Sequence, residues 1–356
     1  MQMRKTVFVL LLAVIAVGAL ECTSSYVLFR HYSRLNKSFH PAGSSTSLLL
    51  KHLYARFIEG RHEVVELSIN HGHVFRANDV LGFLMNPGSY EITEDFDSQR
   101  HRFQLTVDGM GRRITSYMPV DATRRIYVTG DSAMFGWGLD DEQTAPWLLQ
   151  TRLPHYQVVN LSLTGYSTIQ TLLKLKQIIS KFSADDILIL THHRGDNESN
   201  VVSPEVLADL SSGFEEQLGD ENFIRTVAIP YGLIDAKGNL AIRRIHLSCF
   251  RHTLAPGCVR SAANASEAME VTIRAFDEII AMCPGHVVVA FLSGDDDDPV
   301  IQHLRSKAVT IVDLRASKDD PDVDDLVATD NHPGPFLHHR FYVGLVNALL
   351  RNHLVN

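Results

Sequence analysis

The chain has 356 residues, of which 45% are hydrophobic and 21% are charged, an ordinary globular composition. This length accommodates one large domain with a smaller appendage and a substantial core. The formal net charge of -8 offers no basic surface, so nucleic acid is excluded as the expected partner. Most of the 18 histidines lack the spacing of a zinc site, and we expect no metal or organic cofactor.

The N-terminus predicts a membrane-crossing helix over residues 1–30. Arg4 and Lys5 precede an apolar stretch that runs, with a short polar break, to Phe29. This is long enough for the roughly 20 residues that a helix needs to cross a bilayer. A cleaved signal peptide and an uncleaved signal anchor both remain open. No small-residue cleavage site follows Leu20, which favours the anchor. The two positive charges predict an extracytoplasmic position for the rest of the chain, periplasmic or extracellular.

Residues 31–122 predict a spacer and a small β-rich region. Residues 33–47 are polar, and from about residue 64 to residue 116 short segments such as HRFQLTV alternate apolar and polar side chains. Turn signals such as Asn86-Pro87-Gly88 lie between these segments. Further along the chain, Cys249 and Cys258 are spaced for a short disulfide-closed loop, although separate thiols fit the sequence equally well.

Residues 123–356 predict a three-layer α/β/α sandwich with a parallel five-stranded sheet. Five apolar segments of strand length occur in order: RRIYVTG, YQVVNLSL, DDILILTHH, HVVVAFLS and AVTIVDLR. Amphipathic helical patterns separate several of them, at residues 168–182, 266–283 and 337–354. Buried strands alternating with helices are typical of a parallel sheet covered on both faces. An insertion at about residues 203–265 contains a predicted hairpin, YGLIDAKGNLAIRRI.

Polar residues follow these strands where a parallel sheet binds its ligands, beyond the carboxyl ends of the strands. They are Ser132 after the first strand, Gly165 after the second, Asn197 after the third, and Asp330 and His332 before the last helix. A hydroxyl, an imidazole and a carboxylate are the parts of a nucleophilic triad. A glycine amide and an asparagine side chain are donors that stabilise an oxyanion.

The motifs around these residues resemble the SGNH (GDSL-type) hydrolase superfamily over about residues 124–356. Its first block is similar to GDSAMFGWGLDDEQTAPWLLQTRL, its glycine block to VVNLSLTGYST, its third block to GDNE and its last block to DNHPGP. The resemblance implies a catalytic triad of Ser132, His332 and Asp330. It also implies an oxyanion hole formed by Ser132, Gly165 and Asn197.

Two spacings leave alternatives open. The family often has Asp-x-x-His, which would put Thr329 in the acid position, whereas Asp330 gives the Asp-x-His spacing of other, membrane-anchored members. A one-residue shift in the third block would put Asp196 in the position of Asn197, where a carboxylate would repel an oxyanion.

Other polar and aromatic residues are expected to have structural roles. We expect Asp131 to hydrogen-bond within its turn, and Trp137 and Trp147 to be packing residues rather than platforms for a substrate. His338 and His339 are expected at the surface or as helix caps.

The expected function is therefore a membrane-anchored serine esterase or O-acyl transferase. Its substrate would be an ester-bearing small molecule or an envelope glycan. Two alternatives remain: an inactive SGNH-like module that binds glycan, and a lipase acting at the membrane surface.

Overall fold

The computed structural model describes residues 66–70, 72–96, 99–118, 122–201, 226–247, 264–317, 325–327 and 331–355. The predicted anchor, spacer and Cys249–Cys258 loop lie outside these residues. Cys283, within them, is a free thiol. Among the described helices, none is long and apolar enough to cross a membrane.

The predicted β-rich region is present, and its described residues form five antiparallel strands. They are β1 (Glu66–Ile69), β2 (Phe75–Asn78), β3 (Gly82–Met85), β4 (Gly88–Phe96) and β5 (Gln99–Val107). The long hairpin of β4 and β5 pairs in register from Gly88 with Val107 to Phe96 with Gln99. β1 extends this hairpin to a three-stranded sheet, and β2 pairs with β3.

The central sheet is parallel and five-stranded, which confirms the predicted architecture. Its strands are β6 (Arg124–Thr129), β7 (Tyr156–Asn160), β8 (Ile187–His192), β11 (His286–Phe291) and β12 (Thr310–Asp313). Their order across the sheet is β12-β11-β8-β6-β7. The predicted hairpin in the insertion is also formed, by β9 (Ala228–Ile234) and β10 (Leu240–His246). From β6 the chain adds β7 on one side, and from β8 it adds β11 and then β12 on the other side. The strand order therefore reverses between β6 and β8, which is the switch point of the sheet.

Helices cover both faces of this sheet. They are α1 (Ser132–Phe135), α2 (Ala145–Arg152), α3 (Thr168–Ile178), α4 (Asp196–Ser199), α5 (Ala265–Met282), α6 (Pro299–Arg305) and α7 (Pro335–Arg351). Successive strand residues point to opposite faces. Ile126 and Val128 therefore pack in the core under α2 and α7, while Tyr127 packs in the core under α3, α5 and α6.

A third core joins the β-rich region to the sheet domain. Phe83 and Phe103 of the β-rich region share this core with Trp137 and Tyr166, which follow β6 and β7. Trp137 is buried, as expected, and its Nε1 donates a hydrogen bond to Glu94 Oε1 at 2.7 Å. Trp147 stacks edge to face on Tyr117, with ring centroids 4.7 Å apart. Both tryptophans therefore act as packing residues.

A buried lysine on α3 makes stability depend on pH. Lys174 Nζ donates to Leu161 O at 3.0 Å and lies 5.3 Å from the centroid of the Tyr166 ring. Burial lowers the pKa of Lys174 to about 7. Between that value and the unfolded lysine pKa of 10.5, the unfolded chain holds a proton that the folded chain has lost. The free energy of unfolding therefore rises with pH in this window.

We expect Lys174→Met to remove this pH dependence. Relative to the variant, the wild-type free energy of unfolding should rise between pH 7 and pH 9 by up to about 1.4 kcal/mol per pH unit. Urea denaturation of both proteins at pH 6, 7, 8 and 9 measures the difference. Parallel pH profiles for the two proteins would contradict the assignment.

Candidate active site

Ser132 stands at the start of a short helix just beyond strand β6 of the parallel sheet. Two positions before it, residue 130 requires a glycine, because a Cβ there would overlap Thr191 Oγ1 on the neighbouring strand β8. Asp131 caps α1, its Oδ1 accepting a hydrogen bond from Ala133 N at 3.0 Å, so it serves the turn as expected. The helix ends after one turn at Gly136, which has a left-handed φ of 81°. The half-buried Ser132 is thus held at the carboxyl end of the sheet.

A pocket of about 310 Å³ opens beside Ser132. Its polar lining is Asp131, Ser132, His193, Asn331 and His332. Its apolar lining includes Leu292, Leu326, Leu337 and Phe341. The pocket has room for a small acyl group, and its lining combines apolar side chains with a few polar groups.

The loop before α7 brings His332 to this pocket. Val327 N donates to His332 O at 2.7 Å, and Asn331 N donates to Val327 O at 2.8 Å, so the loop folds back on residues 325–327. Asn331 has a φ of 61°, a left-handed conformation that asparagine tolerates. The described residues include no hydrogen bond between Ser132 Oγ and the His332 ring.

The remaining predicted site residues lie elsewhere. Asp330 is outside the described residues, so its role stays a prediction. Gly165 is exposed on the loop after β7, with a left-handed φ of 72°. Asn197 is buried in α4, and its Oδ1 has no hydrogen-bond partner among the described residues. The pocket lining, as described, includes neither Gly165 nor Asn197.

A cluster of two carboxyl groups and an imidazole adjoins Ser132, and its members Asp131 and His193 line the same pocket. Asp131 Oδ2 is 3.6 Å from His193 Nδ1, and His193 N donates to Asp196 Oδ2 at 3.4 Å. Burial, and then the neighbouring Asp131 carboxylate, raise the pKa of Asp196 well above its ordinary value. One ligand atom from each of Asp131, His193 and Asp196 lies within 4.8 Å of the others, so these three side chains are the ones in the described part that could hold a metal ion.

The expectation of a surface position for His338 is wrong, whereas His339 is exposed. His338 is fully buried, and its Nδ1 accepts a hydrogen bond from Ala145 N at 3.0 Å. It therefore caps α2 from a different helix, a contact that its position in the sequence does not reveal. Burial lowers its pKa to about 3, so the ring stays neutral and keeps this acceptor.

No sequence pattern indicates the role of Arg113, which holds the segment after Ser132. Its guanidinium is buried, pairs with Asp141 at 2.8 Å and donates to the carbonyl oxygen of Gly136 at 2.6 Å. His101 also contacts the carbonyl oxygen of Gly138. The FGWGLDD segment is thus a docking site for the β-rich region.

Comparison with known proteins gives only distant likenesses. No family model matches the chain, and no curated protein matches it. A member of the lipolytic G-D-S-L family from Veillonella parvula is 10% identical, covering 64% of this chain and 100% of its own, with a TM-score of 0.39. A psychrotrophic esterase from Pseudoalteromonas is 12% identical over 64% and 98%, with a TM-score of 0.33. An extracellular lipase from Streptomyces rimosus is 13% identical over 64% and 100%, with a TM-score of 0.31. Likenesses this low do not assign the chain to a family.

Proposed function

We propose that this protein is a serine esterase or O-acyl transferase of the GDSL (SGNH) type. The observation that carries the proposal is that Ser132 and His332, far apart in sequence, line one pocket at the carboxyl ends of the parallel strands. This is the edge at which open α/β sheets bind their ligands. The serine and histidine are the two members of a triad that carry out bond making and proton transfer.

In the proposed reaction, His332 accepts the proton of Ser132 as the serine oxygen attacks an ester carbonyl. Asp330 orients the imidazole and stabilises its charged form. The backbone amides of Ser132 and Gly165 donate hydrogen bonds to the oxyanion. The side chain of Asn197, which the motif predicts as a donor, supplies a further hydrogen bond. Collapse of the intermediate releases the alcohol, which takes the proton from His332. Water or a sugar hydroxyl then accepts the acyl group, with His332 acting again as base.

We also propose that residues 1–30 anchor the protein and that the sheet domain is extracytoplasmic. The support is the apolar N-terminal segment preceded by Arg4 and Lys5. An envelope glycan or a small acyl ester would be within reach of such an enzyme. Hydrolysis and transfer would use the same acyl-serine and differ only in the acceptor.

Covalent labelling of the full chain with a fluorophosphonate tests the nucleophile. We expect stoichiometric labelling that maps to Ser132 by peptide mass spectrometry and is absent from Ser132→Ala. Ser162→Ala is a matched control, because Ser162 is buried outside the pocket lining and its Oγ makes no hydrogen bond among the described residues. A wild-type protein that neither labels nor turns over p-nitrophenyl acetate would point to the non-catalytic binding module instead.

A further inference from the structure

Asp325 begins a short segment that pairs with the chain around His332. Gly334 N donates a hydrogen bond to Asp325 O, and Val327 N donates one to His332 O, each at 2.7 Å. This is the pattern of a short antiparallel ladder. The backbone of His332 is therefore fixed by a segment to which the predicted triad and oxyanion hole give no role.

The side chain of Asp325 also caps α7, the helix that follows His332. Its Oδ2 accepts a hydrogen bond from Leu337 N at 3.0 Å. Leu337 is the third residue of the helix, and the side chain of an N-cap residue commonly accepts this hydrogen bond. The N-cap residue of α7 is Gly334, whose lack of a side chain leaves that position open. Asp325 therefore supplies, from another segment, the cap that the local sequence lacks.

Residue 334 requires a glycine because the Asp325 carboxylate occupies the space beside it. A Cβ at Gly334 would come within 2.6 Å of Asp325 Oδ2 and 2.7 Å of its Cγ. The backbone of Gly334 is extended, with a φ of -78° and a ψ of -176°, so its conformation suits any residue. A carboxylate is favoured at this end of α7, since the N-terminus of a helix carries partial positive charge.

The cap joins the candidate base to a well-packed part of the molecule. Two residues lie between His332 and the start of α7. Leu337 and Phe341, in the first two turns of this helix, are buried in the core beneath the sheet. The position of His332 therefore depends on how the chain enters α7, which Asp325 fixes through both its backbone and its side chain.

We propose that Asp325 is a positioning residue, whose carboxylate holds the His332 loop so that the imidazole reaches Ser132. This assignment rests on the proposed esterase function. Asp325 is absent from the pocket lining in the described part of the chain, so it acts through His332 and not on the substrate. Asp330 remains the predicted partner of the imidazole. A displacement of about 1 Å in a catalytic group lowers a rate by about 10²-fold, so a residue behind the site can control turnover.

Steady-state kinetics of the full chain with p-nitrophenyl acetate test this role. We expect Asp325→Ala to lower kcat about 10- to 100-fold and to leave KM within about threefold of wild type, because the base is displaced while the pocket remains. Fluorophosphonate labelling of Ser132 should slow in parallel. Asp325→Asn should keep kcat within about threefold of wild type, since asparagine caps a helix about as well as aspartate.

Asn264→Ala is the matched control. Asn264 caps α5 as Asp325 caps α7, because its Oδ1 accepts a hydrogen bond from Glu267 N at 2.9 Å. It is exposed and lies outside the pocket lining. Each alanine variant should lower the Tm by about 2–4 °C, as the loss of one cap does. We expect Asn264→Ala to keep kcat within about twofold of wild type, which separates positioning from stability.

Gly334→Ala tests the fit of the carboxylate without removing it. The added methyl group should displace the Asp325 side chain and lower kcat by less than Asp325→Ala does. In a chain that already carries Asp325→Ala, the same change should have no further effect, because the methyl group meets no carboxylate there. If Asp325→Ala does not fold, Gly334→Ala still decides the question, since wild-type kcat in that variant would reject the proposal.

The proposal fails if Asp325→Ala keeps kcat within about threefold of wild type, or if Asn264→Ala loses as much as Asp325→Ala. Equal losses in Asp325→Asn and Asp325→Ala would show that the cap is not what matters. A loss as large as that of His332→Ala would make Asp325 the acid of the triad instead of a positioning residue. If the wild-type chain neither labels nor turns over, the esterase function itself fails, and this result is distinct from the others.

Discussion

His332→Ala is expected to abolish nearly all turnover of p-nitrophenyl acetate, with a loss in kcat of roughly 10⁴- to 10⁶-fold. Without the imidazole, the Ser132 hydroxyl keeps its proton at neutral pH and attacks an ester only slowly. Ser132→Ala should lose as much. The double variant should lose no more than either single variant, because the two residues act as one unit.

The control for this prediction is His339→Ala. His339 lies seven residues further on, in the first turns of α7, but is exposed, and its ring packs on Tyr342 with centroids 5.5 Å apart. It should keep wild-type kcat and KM. If His332→Ala instead retained a tenth or more of wild-type kcat, the base would be a different residue, and the proposed pairing with Ser132 would fail.

The architecture could be predicted because its strands carry an unambiguous signal. The segment DDILILTHH has four consecutive apolar residues at its centre, and β8 is buried at all of its residues, as expected for a strand covered on both faces. The predicted ends of the helices are less accurate than the predicted strands. The helix predicted for residues 168–182 ends at Ile178 and continues as a 3-10 turn, Ile179–Lys181. Such endings depend on packing and backbone hydrogen bonds that periodicity does not encode.

The candidate site was predictable only where its residues follow strands or motifs. Ser132 and His332 meet in one pocket because both lie at the carboxyl edge of the sheet. The motif predicts Asn197 as an oxyanion donor, yet the residue is buried within a single helical turn. His193 is placed at this edge by strand register, because it directly follows β8, the strand that pairs with β6. That register is known only once the strand order is known.

The contacts of Arg113 could not be predicted, since they join residues distant in sequence. Arg113 belongs to the β-rich region, yet its guanidinium donates hydrogen bonds to three carbonyl oxygens at the end of the Ser132 helix and just after it. These are the oxygens of Phe135, Gly136 and Leu139. The domain boundary predicted near residue 122 is therefore crossed by buried hydrogen bonds, an ion pair and a shared hydrophobic core.

Arg113→Ala is expected to lower the free energy of unfolding by about 3–5 kcal/mol, because it leaves the fully buried Asp141 carboxylate without its partner. Arg112→Ala is the matched control. Arg112 pairs with Asp108 at a site where both side chains are nearly 30% exposed, and loss of that pair should cost about 1 kcal/mol or less. Urea denaturation of the three proteins at one pH measures the difference.

The same substitution should also affect the candidate site. Arg113 fixes the chain that leaves α1, so its loss should lower kcat as well as stability, even at temperatures where the variant remains folded. Arg113→Ala combined with Asp141→Asn should recover part of the stability, since the second change removes the unpaired charge. If Arg113→Ala cost no more than Arg112→Ala, the buried pair would not couple the β-rich region to the segment after Ser132. The hydrophobic core between Phe103 and Trp137 would then hold the β-rich region in place by itself.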